Sequence, residues 1–223
     1  MPFDRREQTD LPRIISEPRF ATYLKATAND RERALELYEW NLRISAAFVV
    51  PLQVCEVATR NGVAEAIGLI HGENWPWSNG FRRSLPKPKR GRDYNPESDL
   101  AQVAAHQPTS GKVVAELRFA FWEKLFTVGQ DHRLWLPHFR EVFPGAPDGL
   151  TIPEARARAF REIQAIRKLR NRIAHHEPIF KRALVADYRR IVEMIGWRSR
   201  IAADWVDRIQ MVTQLIPQIP DLE

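Results

Sequence analysis

The strongest constraint on the fold is a run of apolar side chains between Asn29-Asp30 and Gly72. Leu35, Tyr38, Leu42, Ser45, Val49 and Leu52 recur at alternating spacings of three and four, and Leu37, Ile44 and Phe48 widen the stripe. That is the repeat of one helix face; a half-buried strand would alternate every second residue. Pro51 lacks a backbone donor and crowds the preceding turn, so a kink is expected there, with the helix resuming through Glu56, Arg60 and Ile67. Glu56 stands on the apolar side four residues after Leu52, and a carboxylate there is costly unless it is paired. Two readings stay open: an intrahelical Glu56–Arg60 ion pair, or a polar cleft lined by Glu56, Arg60 and Asn61.

A second long pattern starts at Thr151, which with Glu154 three residues later and Pro153 in the first turn forms a capping box. Ala155, Ala159, Ile163, Ile166, Leu169 and Ile173 supply its buried side, arginines crowd the remainder, and Pro178 is expected to end it. Residues 1–15 are polar with two prolines and read as an irregular arm. Ser16 is placed to cap a short helix through about residue 27, carrying Phe20, Tyr23 and Leu24. Helical patterning returns at 96–106 and 110–127, where Val114, Leu117, Phe121 and Leu125 read as core. Residues 132–138 read as an irregular link before a turn at 143–149. Two helices follow, one carrying Leu184, Tyr188, Ile191 and Ile195 and the other Trp205, Ile209, Val212 and Ile216. No strand pattern competes, so residues 16–223 are expected to form one all-α antiparallel helical bundle.

Residues 72–98 interrupt this regularity. Arg82, Arg83, Lys87, Lys89, Arg90 and Arg92 occur with no acid between them, among Gly, Pro and the aromatics Trp75, Trp77, Phe81 and Tyr94. As a basic loop insertion this suits single-stranded nucleic acid, with cations on phosphates and rings on bases. A solvated surface loop accounts for it equally well. Overall, 34 Lys and Arg against 28 Asp and Glu give a net charge of +6, which favours an anionic partner only mildly. Cys55, the single cysteine, excludes an internal disulfide and a cysteine-based zinc site and fits a reducing cytoplasm. Neither a signal-peptide pattern nor a run of about 18 apolar residues is evident, so a cytoplasmic protein without a membrane span is expected.

The chemistry concentrates in Arg167-Lys168-Leu169-Arg170-Asn171-Arg172-Ile173-Ala174-His175-His176-Glu177-Pro178. On a helix Asn171 and His175 share a face, with Arg170 one step round. An imidazole beside a guanidinium suits proton transfer at a phosphate ester. Adjacent His175 and His176 have no ligand set for a metal at helical spacing, and neither a nucleophile elbow nor a glycine-rich phosphate loop is present. What these residues allow is acid–base chemistry by histidine with arginine stabilisation, which needs no cofactor.

The string Arg170-Asn171-Arg172-Ile173-Ala174-His175 resembles the R-N-x-x-x-H signature of the HEPN superfamily, in its Abi-like (abortive infection) branch. The wider run Leu169 to Phe180 is similar to that branch, as are Ser16 to Leu24, Ala34 to Asn41, Glu56 to Asn61, and Gly111 to Leu117 with Phe121-Trp122. The likeness spans roughly residues 16 to 200. It implies an all-α domain that often forms homodimers with two motif helices meeting at a shared cleft. It also implies metal-independent RNA cleavage, commonly in toxin–antitoxin or phage-defence systems, with a cognate antitoxin or inhibitor as a further partner. Carried over by residue, His175 would be the acid or base, Arg170 would hold the scissile phosphate and Asn171 would orient His175 or the RNA. Glu56, Arg60, Asn61 and His176 would support the cleft, and Arg167 and Arg172 would join the basic loop in binding RNA. Two alternatives stand beside this: a non-catalytic module of the same fold that binds RNA or a partner protein, and a purely structural role. In the latter, Arg170 caps a helix or pairs with Glu177 and the histidines pack at a dimer seam.

Overall fold

The computed structural model describes residues 3–222 except 89 and 92. It is an all-α bundle, with no strand among the described residues. The α-helices in chain order are α1 (Arg5–Ile15), α2 (Glu17–Ala26), α3 (Arg31–His71), α4 (Asn79–Ser84), α5 (Pro96–His106), α6 (Ser110–Glu116), α7 (Phe119–Leu125), α8 (Leu136–Val142), α9 (Ile152–Ala174), α10 (Leu184–Arg198), α11 (Arg200–Ile209) and α12 (Val212–Leu215).

α3 is the axis on which α2, α7, α8, α9, α10 and α12 all pack. It runs as one helix through Pro51 and on past Glu56, Arg60 and Ile67. The ring fixes φ near the helical value, and buried Phe48, Leu52 and Cys55 hold the helix on either side of it. Of the expected stripe, Leu35, Leu37, Ile44, Phe48 and Leu52 are buried, and the buried face also takes in Asn41, Pro51, Cys55, Thr59, Gly62 and Ala66 while leaving out Leu42 and Val49. Leu42 (51%), Val49 (48%) and Val50 (38%) therefore face outward. α3 is also long and apolar enough, by length and composition, to cross a membrane, where the sequence pattern suggested no such span.

Near its C-terminal end α9 meets the middle of α3 in the antiparallel sense, since Arg170 faces Glu56 while Ile173 shares a cleft with the earlier residues Val49 and Leu52. α10 then runs back alongside, from Leu184 beside Trp40 to Arg198, which bonds Glu65. The turn before α9 closes on α10 where the Gly145 N–H donates to the Trp197 carbonyl at 2.9 Å. A Cβ on Gly145 would lie 2.2 Å from the Gly196 carbonyl oxygen, so only glycine fits there.

Other expectations need correction. The N-terminal arm is helical: Asp4 and Glu7 form a reciprocal capping box, Pro12 is buried, and Arg31 donates to the Gln8 carbonyl. Ser16 is a hinge with φ 82 between α1 and α2 and makes no side-chain cap. The 110–127 helix breaks at Leu117 and Arg118, which leave helical backbone geometry. Residues 128–135 form a 3-10 turn and a π-helical turn, closed by a bidentate bond from buried Arg156 to Asp131 at 2.7 and 2.8 Å. On α11 the expected core residues Trp205 and Ile209 are exposed, and Ala203 and Val206 face inward.

The first part of the 72–98 insertion, through Leu85, is anchored structure, whereas the described residues between 85 and 95 follow an irregular path as expected of a loop. Trp75-Pro76-Trp77 makes a 3-10 turn and α4 follows directly. Trp75, Phe81 and Leu85 are buried, and Trp77 Nε1 donates to the Ala104 carbonyl at 3.0 Å. Trp75 and Phe81 therefore hold the segment down and are not open to stacking, while Trp77 stays exposed and Tyr94 is partly buried.

Candidate active site

α9 carries the candidate site on its C-terminal turn. The Thr151–Glu154 capping box opens the helix as its sequence implies. It ends at Ala174, ahead of Pro178, by backbone geometry. The His176 N–H donates to the Ile173 carbonyl at 3.0 Å and the Glu177 N–H to the Arg172 carbonyl at 2.8 Å. This is a Schellman turn, with His176 at φ 56 in the left-handed position that glycine usually fills. Arg172 braces the turn by donating to the Pro178 carbonyl at 2.7 Å and sits 3.4 Å from Glu177. Buried Asn41 of α3, which ends the Ala34–Asn41 string with no role assigned to it there, then accepts the Ile179 N–H at 2.8 Å and ties the outgoing chain to the axis. A polar residue in the apolar stripe next to Trp40 is the sequence signal that could have found that role.

One turn back, the Arg170 Nε lies 3.5 Å from the Glu56 Oε2, with side chains 46% and 22% exposed. Glu56 thus pairs across helices with Arg170, and the intrahelical Glu56–Arg60 pairing is absent. Two concavities meet at this pair. The larger, about 410 Å³, is lined by Val49, Leu52, Gln53, Glu56, Val57, Arg60, Arg170, Ile173 and Ala174. The other, about 340 Å³, runs between α9 and the α6–α7 corner and takes in Arg118, Arg167, Arg170 and Asn171. The Glu56–Arg170 pair is the wall they share. Arg60 donates from Nη1 to the Ala115 carbonyl at 3.3 Å, while its Nε is buried with no hydrogen-bond partner.

No family model, curated protein or solved structure matches this chain.

The fold therefore gathers Glu56, Arg60, Arg170 and Asn171. It leaves Asn61 exposed and outside both concavities. His175, the C-cap of α9, and His176 are both exposed and line neither. Arg167 and Arg172, expected at an RNA surface, are bound within the fold: Arg167 to Glu123, which is 2% exposed, and Arg172 to the Schellman turn. In the basic segment Arg82 turns onto the Pro76 carbonyl at 3.0 Å, while Arg83, Lys87 and Arg90 are exposed. Lys89 and Arg92 lie outside the described residues. Burial pushes the Cys55 thiol up to about 12, which keeps it protonated and unfit as a nucleophile beside the cleft. Among the described residues no group of three or more His, Cys, Asp or Glu side chains is gathered so as to hold a metal.

Proposed function

We propose that this chain is a metal-independent endoribonuclease of the HEPN type, cleaving RNA by attack of the ribose 2′-OH to leave a 2′,3′-cyclic phosphate and a 5′-OH. The observation that carries it is the position of Arg170: it lines both concavities, half exposed, on the same helix end as Asn171 and His175. A guanidinium there can take two phosphate oxygens at once. Glu56 keeps it turned toward the cleft until a phosphate replaces the carboxylate. His175, one turn on, would move the proton from the 2′-OH or to the leaving oxygen.

One histidine outside the cleft is a sparse site, and a second copy of the chain supplies the remedy. Leu42, Val49 and Val50 form an exposed apolar strip on α3 that runs into the larger concavity. We read this strip as the seam of a homodimer, with the facing His175 residues dividing the acid and base roles. On this reading α3 covers its apolar face with protein and not lipid, and the chain works in the cytoplasm. A role in toxin–antitoxin or phage defence, with a cognate antitoxin or inhibitor, follows from the sequence resemblance alone.

That His175 lines neither concavity favours one second reading, a non-catalytic module that binds RNA or a partner protein. The deciding experiment incubates purified protein with total RNA in EDTA, beside His175→Ala and Arg170→Ala. Chelator-resistant cleavage lost in both variants supports the nuclease. Binding without cleavage, unchanged in His175→Ala, selects the module.

A further inference from the structure

At the C-terminal end of α3, a concavity of about 570 Å³ is lined by Arg83, Ser84, Gly129, His132 and Arg133. Its two walls belong to α4 and to the turns at 128–135, and Gln130 Nε2 ties them by donating to the Ser84 carbonyl at 2.7 Å. His71, the last residue of α3, packs on Phe81 of α4 at 5.3 Å, and burial and the Arg133 charge both hold its imidazole below the usual range.

Several partly buried arginines elsewhere meet carboxylates, as Arg158 does Glu193, Arg190 does Glu162 and Asp187, and Arg198 does Glu65. Arg83, His132 and Arg133 line this hollow as exposed side chains. No carboxylate lines this concavity, and among the described residues Arg83, His132 and Arg133 make no side-chain hydrogen bond or ion pair. Cations gathered in a hollow raise the local positive potential and draw in anions. Gly129 adds an open backbone edge, since nothing lies within 4 Å of where its Cβ would be.

We propose that this hollow is a phosphate-binding site that takes a backbone phosphate of the same RNA strand whose reacting bond lies at Arg170. The proposal rests on the ribonuclease reading for its choice of ligand. From Glu56 to His71 is fifteen residues of unbroken helix, about 22 Å at 1.5 Å per residue. At about 3.4 Å per stacked nucleotide, roughly seven nucleotides bridge the two sites. A short oligonucleotide would reach only one of them.

The test uses fluorescent 2′-O-methyl RNA of four and of twenty nucleotides, which offers no 2′-OH to attack, so binding is measured apart from cleavage. Anisotropy across a range of KCl compares the wild type with an Arg83→Glu/Arg133→Glu variant and a milder Arg83→Gln/Arg133→Gln variant. Thermal melts check that each variant is folded. The expected result is at least a tenfold loss of affinity for the twenty-mer in the charge-reversed variant, a smaller loss in the neutral one, and an unchanged four-mer. The salt slope should flatten by about 0.7, the share of one phosphate contact on a single strand. A twenty-mer bound with wild-type affinity and slope by both variants overturns the site, whatever happens to cleavage. Inorganic phosphate shifting the His71 resonances in NMR while the twenty-mer does not would overturn the RNA assignment in favour of free phosphate. If natural RNA is bound with this length dependence but never cut, the hollow stands and the nuclease reading falls.

Discussion

Arg167 and Arg170 sit three residues apart on one helix, and the structure separates what each does. Glu123 is 2% exposed, and Arg167, 28% exposed, is its ion-pair partner across the α7–α9 contact. Arg167→Ala would strand that carboxylate in the interior. Removing one partner of a buried pair costs about 3–5 kcal/mol, and the partial exposure of Arg167 places this one near about 3 kcal/mol. For a chain of this size that lowers the melting temperature by roughly 6–12 °C. Adding Glu123→Leu removes the stranded charge and should recover most of the loss. Arg170→Ala breaks only a half-exposed contact at 3.5 Å, so its stability change stays below about 1 kcal/mol while cleavage is lost. Calorimetry on the two single variants and the double variant is the assay. An Arg167→Ala protein that melts within about 2 °C of wild type yet loses RNA binding would refute the structural role and return Arg167 to the RNA surface.

Other predictions address the remaining parts of the site. Glu56→Gln removes the carboxylate that competes with phosphate for Arg170, so filter binding should show tighter RNA association; weaker association would mean that Glu56 serves chiefly to orient Arg170. Val49→Asp places a charge in the apolar strip beside the cleft and should halve the particle mass in light scattering while cutting cleavage; an unchanged mass removes the shared-site model. His176→Gly relieves the left-handed residue of the Schellman turn, with an expected gain of up to about 1 kcal/mol in urea unfolding and retained activity. Because the folded state holds His71 below 6.5, the unfolded chain takes the proton first; stability falls as pH drops below 6.5 and levels off once the folded state also protonates. His71→Gln should flatten that limb of the pH–stability curve.

Much of the fold is legible in the sequence because a helix declares itself by spacing. The 151–174 helix, its cap and its buried side follow from Thr151, Glu154 and the recurrence of Ala155, Ala159 and Ile163. Its neighbour α3 shows the limit. Leu42 and Val49 carry the same periodicity as Phe48 and Ile44, and periodicity alone cannot tell core from an outward apolar strip. The basic segment is legible only in part: its glycines and prolines mark the irregular stretch after Leu85, but the burial of Trp75, Phe81 and Leu85 that fastens its first half carries no periodic signal. The pairing of Glu56 with Arg170 was hidden because it joins helices far apart in the chain. In the same way Glu123 and Asp131 carry no mark in the sequence of the arginines that neutralise them.

A 41-residue helix that serves both ends of a molecule also acts as a ruler. The interval between the Glu56–Arg170 wall and the hollow beside His71 is set by helical rise, which packing can hardly stretch. Inserting one residue between Arg60 and His71 would turn the far end by about 100°, whereas inserting four would return nearly the same face and lengthen the interval by about 6 Å. If RNA is gripped at both graduations, four extra residues should raise the shortest tightly held strand by about two nucleotides.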